Sequence, residues 1–217
     1  MGRSTRAARQ KPIQSLGQMS EPLSTFDPRT TAFLTLDIQT ALVGFYAKEA
    51  AHFLPAVTSL LACARNLKAT VIHVKVGFRP GFPEVSGRNR LLSSLTNNPD
   101  YVKLVNTEWF NLHPALDARG DEPVVTKARI SAFEGTDLRI LLRSKDIDTL
   151  VLFGIITSGV VLSTALEAMD QDYRVLIVRD ACVDSDPDLH ACLLDRLLAK
   201  RTDVVTATEL TERMQTK

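Results

Sequence analysis

"TLVLFGIITSGVVLSTALEA", residues 149–168, decides how this chain folds. Residues 149–155 form a short apolar run, which reads as a strand hidden on both faces. From 157 to 171 the spacing of apolar and polar residues changes to that of a helix. A strand that turns directly into a helix is the repeating unit of α/β proteins. It presents backbone N–H groups to the crevice beyond the strand end, where they favour an anion or a developing oxyanion. Thr157 and Ser158 stand where they could cap this helix, and Thr157 could also touch a ligand.

The same alternation extends outward in both directions. "TAFLTLDI" (31–38) reads as a strand ending at an acid. The 50–67 segment has helical spacing, with Leu54, Val57, Leu60, Leu61 and Ala64 on one face and Pro55 expected in its first turn. "TVIHVKV" (70–76) is a second strand, and 77–122 reads as irregular, broken by "RPGFP", with "LLSSL" as a short helix. A strand at 123–127 and a helix at 136–145, with Thr136 as its N-cap, lead into the opening segment. A strand at 173–181 follows, then a helix at 186–200 with Asp186 as N-cap and Pro187 in its first position. The stretch 203–210 holds a short last strand. Strands that read as continuous apolar runs between helices imply a three-layer Rossmann-like α/β fold, with a five- or six-stranded, mainly parallel sheet and helices on both faces.

Composition agrees with one soluble domain. The 217 residues are 45% hydrophobic and carry 26 basic against 25 acidic side chains, so no nucleic-acid partner is expected. No window approaches the ~18 consecutive apolar residues of a membrane span. Cys63, Cys182 and Cys192 show no CxxC spacing and read as buried thiols of a reducing compartment. Residues 1–28 read as a basic extension before a domain over 29–217: Arg3, Arg6, Arg9 and Lys11 precede the first acid, Glu21. That pattern fits a disordered tail, with a mitochondrial transit peptide as the alternative to a cytoplasmic location.

In a parallel sheet, ligands bind beyond the carboxyl ends of the strands. This selects Asp37, the 77–90 loop, Lys127, residues 155–160 and Asp180. Asp37 reads either as a loop or cap hydrogen-bonding group or as a general acid or base. Lys127 would reach the same crevice, where the two form either a plain salt bridge or the pair of charges that controls a proton transfer. Arg79 and Arg88 are candidates for gripping a substrate carboxylate in bidentate fashion. "GIITSG" lacks the GxGxxG spacing, so no nicotinamide cofactor is expected. His52, His73, His113 and His190 lack ligand spacing and read as structural, with no metal expected.

Four short stretches together resemble the isochorismatase-like hydrolases, also called the cysteine hydrolase group: "LDIQTALV", "VTKARISAFEGTDL", "GIITSGVVLSTALEA" and "VRDACVDSDPDLH". The resemblance covers roughly residues 30–210. It implies an aspartate, lysine and cysteine acting together, with Asp37 and Lys127 in the first two places. Laid on the family pattern G-x-x-T-x-x-C-V-x-x-T-A, Gly154, Thr157, Val161, Thr164 and Ala165 fit, but Val160 stands in the cysteine's place. The family's cis peptide would fall at Ile155–Ile156, and its oxyanion hole at the N–H groups of Gly159 and Val160.

Valine offers no nucleophile, so hydrolysis through a thioester is closed. Two readings follow. One is a cofactor-free hydrolase of a small molecule that works by acid–base chemistry on Asp37 and Lys127, as true isochorismatases do on a vinyl ether. The other is a catalytically silent binding or assembly protein on the same fold. A small-molecule ligand and a homo-oligomer are expected with either.

Overall fold

The computed structural model describes residues 27–105 and 107–215. The 1–28 extension read from sequence lies almost entirely outside them. Among the described residues, no helix is long and apolar enough to cross a membrane.

Six strands form one sheet: β1 (Thr31–Leu36), β2 (Thr70–Val76), β3 (Val124–Lys127), β4 (Thr149–Ile155), β5 (Arg174–Val183) and β6 (Asp203–Val205). Their order is β3-β2-β1-β4-β5-β6, and every neighbouring pair is parallel. Every residue of β1 and β4 is buried, so the sheet is covered on both faces. Phe33, Leu34, Leu36, Leu152 and Phe153 fill its centre. Each such side chain contributes about 1.5–3 kcal/mol by leaving water.

The helices between the strands are α1 (Thr40–Phe45), α2 (Ala47–Asn66), α3 (Arg90–Thr96), α4 (Pro99–Val105), α5 (Leu138–Arg143), α6 (Leu162–Met169), α7 (Pro187–Cys192) and α8 (Ala207–Gln215). α2 begins earlier than its apolar spacing suggests. Pro55 therefore sits inside the helix rather than in its first turn. The carbonyl that Pro55 leaves without an N–H is that of Ala51, an exposed residue. Asp137, not Thr136, holds the N-cap position of α5, although the Thr136 hydroxyl does accept the Leu138 N–H at 3.2 Å. Asp186 caps α7 as read, accepting from the amides of Asp188 and Leu189. The sequence reading missed α1, α4 and α8, and of the three cysteines it took as buried, Cys192 is exposed. Ala41 of α1, Val105 of α4 and Phe110 form a small second core, with Phe78, Phe82, Tyr101 and Leu104 packed against it.

One polar cluster braces the sheet from within. Arg65 of α2 grips Glu122 with Nε on Oε1 at 2.7 Å and Nη2 on Oε2 at 2.9 Å. His73 Nε2 meets Glu122 Oε2 at 2.9 Å, and the Arg119 amide donates to the same oxygen at 3.0 Å. His73 Nδ1 lies 2.9 Å from the Thr35 hydroxyl. Burial works against the Glu122 carboxylate, but these donors outweigh it and hold the carboxyl down at about 2.

A depressed carboxyl adds stability above its unfolded value, near 4.5, and loses it as pH falls toward about 2. Glu122→Gln should therefore cost roughly 2–4 kcal/mol at neutral pH. Urea titrations of both proteins across pH should show the gap closing between those two values. A gap independent of pH would remove the ionised carboxylate from the account.

Candidate active site

The strand order reverses between β1 and β4, and this switch point opens the crevice of the fold. Leu36 stands opposite Gly154 there. A Cβ at 154 would collide with the Leu36 carbonyl, and Gly154 has φ +148°, which side chains rarely adopt. The two chains leave the sheet side by side at this point, one into Asp37 and the other into the 155–161 turn.

Asp37 adopts a left-handed φ of 55°. Its amide donates to the Val74 carbonyl at 2.9 Å, and its own carbonyl accepts the Gln39 N–H at 2.9 Å. Gln39 is fully buried and accepts the Val76 amide at 2.9 Å. Its carboxamide nitrogen donates to the Val76 and Phe110 carbonyls. The backbone that carries Asp37 is thus tied to β2 and to the connection leading to β3. The sequence reading did not single out Gln39, because a glutamine after a strand carries no signal of burial.

The structure brings Asp37 and Lys127 together, with Lys127 Nζ 2.7 Å from Asp37 Oδ2. The ammonium also donates to the Arg129 carbonyl at 3.1 Å. Both side chains are almost sealed, at 9% and 3% exposure. Asp37 Oδ1 is buried and has no hydrogen-bond partner among the described residues. Burial pushes the Asp37 carboxyl above its ordinary range, and the Lys127 charge and hydrogen bond pull against this without cancelling it. Tyr101 of α4 is an electrostatic neighbour that the sequence reading missed. Its phenol is pushed up to about 12, first by burial and then by the Asp37 charge. Its ring packs edge-on against Phe110, with centroids 5.6 Å apart.

The Ile155–Ile156 peptide is cis, and Thr157–Val161 form a π-helical turn leading into α6. Thr157 is fully buried, and its hydroxyl is committed to the Val183 carbonyl at 3.2 Å and His190 Nδ1 at 2.8 Å. It anchors the turn to β5 and α7. The Ser158 amide donates to Asp184 Oδ2 at 2.6 Å. The Gly159 amide, expected to face an oxyanion together with that of Val160, turns back to the Ile156 carbonyl at 3.2 Å. Val160 is 3% exposed and packs into the main core.

Asp184, not Asp180, is the acid that the end of β5 delivers to this turn. Between Leu152–Ile177 and Gly154–Cys182 the ladder slips, so β5 carries extra residues and runs on to Val183. Asp180 sits in the slipped stretch and accepts the Ala207 amide at the start of α8, at 2.8 Å. Arg79 is 78% exposed and pairs with Glu84 at 3.1 Å, and Arg88 is exposed. Neither is gathered to the Asp37–Lys127 pair. Among the described residues, no cluster of His, Cys, Asp and Glu has the geometry to hold a metal ion.

With this geometry in view, comparison with known proteins places the chain. The model of the isochorismatase domain matches residues 31–209. The chain belongs to the isochorismatase family. Among its relatives are the uncharacterized isochorismatase family protein YecD of Escherichia coli O157:H7 and the maleamate amidohydrolase of Pseudomonas putida. The first is 30% identical over 164 residues, covering 75% of this chain and 84% of YecD. The second is 27% identical over 194 residues, covering 86% of this chain and 88% of the amidohydrolase. The solved structure of an isochorismatase family protein from Burkholderia thailandensis superposes with a TM-score of 0.75 at 29% identity, covering 88% of this chain and 98% of that one.

Lys127→Met removes the charge that opposes burial at Asp37. The Asp37 carboxyl should then titrate at a higher pH than in the wild type, read by carbon NMR of the labelled side chain. A midpoint that stays put or falls would mean the two groups are not coupled as their 2.7 Å contact requires.

Proposed function

We propose that this isochorismatase-family protein is a hydrolase of a small molecule that works by acid–base chemistry on Asp37 and Lys127, with no covalent intermediate. The observation that carries the reading is the half-used carboxylate. Asp37 Oδ2 is held by Lys127, while Oδ1 is buried and bare among the described residues. A purely structural carboxylate in such a place is expected to have both oxygens satisfied, as Glu122 does. Oδ1 is where a reacting proton would be given or taken.

The steps balance for an enol ether. The protonated Asp37 carboxyl gives its proton to the terminal alkene carbon. The π electrons form the new C–H bond and leave an oxocarbenium ion at the ether carbon. Water adds to that carbon and returns a proton to Asp37. The hemiketal then collapses to a carbonyl compound and an alcohol, with one water consumed. Burial favours the acid form needed at the start, and Lys127 steadies the carboxylate formed in between. Maleamate hydrolysis by the relative in Pseudomonas putida cleaves an amide instead. The thioester route that the family resemblance implies has no thiol in its place here, because Val160 offers no nucleophile, and Cys182 is buried, its thiol pushed up to about 12 by burial foremost.

The sealing of the site favours a second reading, a silent binding or assembly protein. Val160 is 3% exposed and belongs to the main core, and both side chains of the Asp37–Lys127 pair are almost sealed. Turnover decides between the two. Wild type should hydrolyse an activated enol ether and keep its rate after treatment with iodoacetamide. Asp37→Asn should fall about 10²–10⁴-fold with the fold intact by circular dichroism, and Val160→Gly should change the rate only modestly. A wild type without turnover would leave the silent reading standing. In that case Val160→Cys would report whether the site is otherwise whole, through a thiol alkylated faster than Cys63, Cys182 or Cys192.

A further inference from the structure

A cleft of about 460 Å³ opens beside the carboxyl ends of β2 and β3, within the size range of small-molecule sites. In the register of these strands Lys75 pairs with Thr126, and Val76 with Lys127. Paired residues of parallel strands project to one face and successive residues to opposite faces. Lys75 and Thr126 line the cleft from the face opposite the Lys127 side chain, and Val76, in register with Lys127, lines it too. Neither Asp37 nor Lys127 lines it.

We propose that this cleft binds a small zwitterion of the amino-acid type, with its carboxylate on Lys75 and its ammonium on Glu84. Two incomplete polar groups of opposite sign carry the inference. Glu84 Oε1 accepts both the amide and the guanidinium of Arg79, each at 3.1 Å. Glu84 Oε2 is buried and has no hydrogen-bond partner among the described residues. A carboxylate oxygen in that state calls for a donor. Lys75 is half-buried and makes no ion pair or hydrogen bond through its ammonium with any described residue. A cation in a cleft that no described acid pairs with attracts an anion.

The anchor on the acidic side is held in place before any ligand arrives. The Glu84 carbonyl accepts Arg129 Nη2 at 3.0 Å, and the next amide, that of Val85, bonds the Phe82 carbonyl at 2.9 Å. Such fixing lowers the ordering cost of binding. Phe78 and Phe110 line the same cleft and offer apolar surface to the short carbon chain between the two charges. A ligand with one charge would leave either the Lys75 ammonium or Glu84 Oε2 unanswered, so the two-charge requirement is the specificity of the site.

Calorimetric titration of the full chain with α,ω-aminocarboxylates, from glycine to 6-aminohexanoate, tests this. At least one should bind with Kd below ~10 mM, and the matching carboxylate alone and amine alone should bind about tenfold or more weakly. Lys75→Met and Glu84→Gln should each weaken binding about tenfold or more, while Asp37→Asn leaves it unchanged. No heat from any zwitterion, equal binding of the singly charged controls, or affinity that survives Lys75→Met overturns the proposal. So does loss of binding in Asp37→Asn, which would move the ligand to the dyad. Should Glu84→Gln disturb its loop, Lys75→Met decides, because that ammonium holds no described residue in place.

Discussion

The contact between β1 and β4 at Leu36 and Gly154 is the constraint on which the site depends. A β-carbon at 154 would occupy the Leu36 carbonyl, so the two central strands can close only over a glycine. Because they close there, both chains leave the sheet at the same point, at the reversal of strand order. Asp37 turns off in a left-handed conformation, and the other chain passes through the cis peptide into the turn that carries Val160. The slip in the β5 ladder falls beside the same glycine, and it is what lets β5 extend to Asp184 and hold the Ser158 amide.

Two buried acids show how differently this fold treats charge. Glu122 is held by a guanidinium, an imidazole and a backbone amide, and its carboxyl is driven down despite burial. Asp37 has one ammonium and one bare oxygen, and its carboxyl is driven up. Removing an ion from water costs several kcal/mol, and only a full set of donors offsets it. The first acid is therefore a brace between α2, β2 and the start of β3. The second keeps one oxygen without a partner among the described residues, and the proposed proton transfer rests on that oxygen.

The carboxyl ends of β2 and β3 present different chemistry on their two faces. On one, Lys127 turns inward to Asp37. On the other, Lys75 and Thr126 border an open cleft. Arg129 spans the two regions, since its carbonyl accepts the Lys127 ammonium and its guanidinium holds the Glu84 carbonyl.

The order of the six strands from 31 to 205, with α2, α5, α6 and α7 between them, was legible in the sequence, because burial on both faces writes itself as continuous apolar runs and helices as a 3.6-residue period. Asp37 and Lys127 were legible as candidates for the same reason: a charge that directly ends an apolar run must stand at a strand end. The valine at 160 is a matter of sequence alone. The α4 helix and Tyr101 were not legible, since the 77–122 stretch buries its residues against a small second core with no regular period. Asp184 was hidden by the ladder slip, which lengthens β5 beyond its apolar run, and Gln39 by a burial that its residue type does not announce. Only the folded chain decided that the Thr157 hydroxyl bonds to β5 and α7, that Arg79 pairs with Glu84, and that one oxygen of Asp37 has no partner among the described residues. Strand identity follows from local pattern. Which polar atoms find partners depends on chain segments that meet only when the sheet has formed.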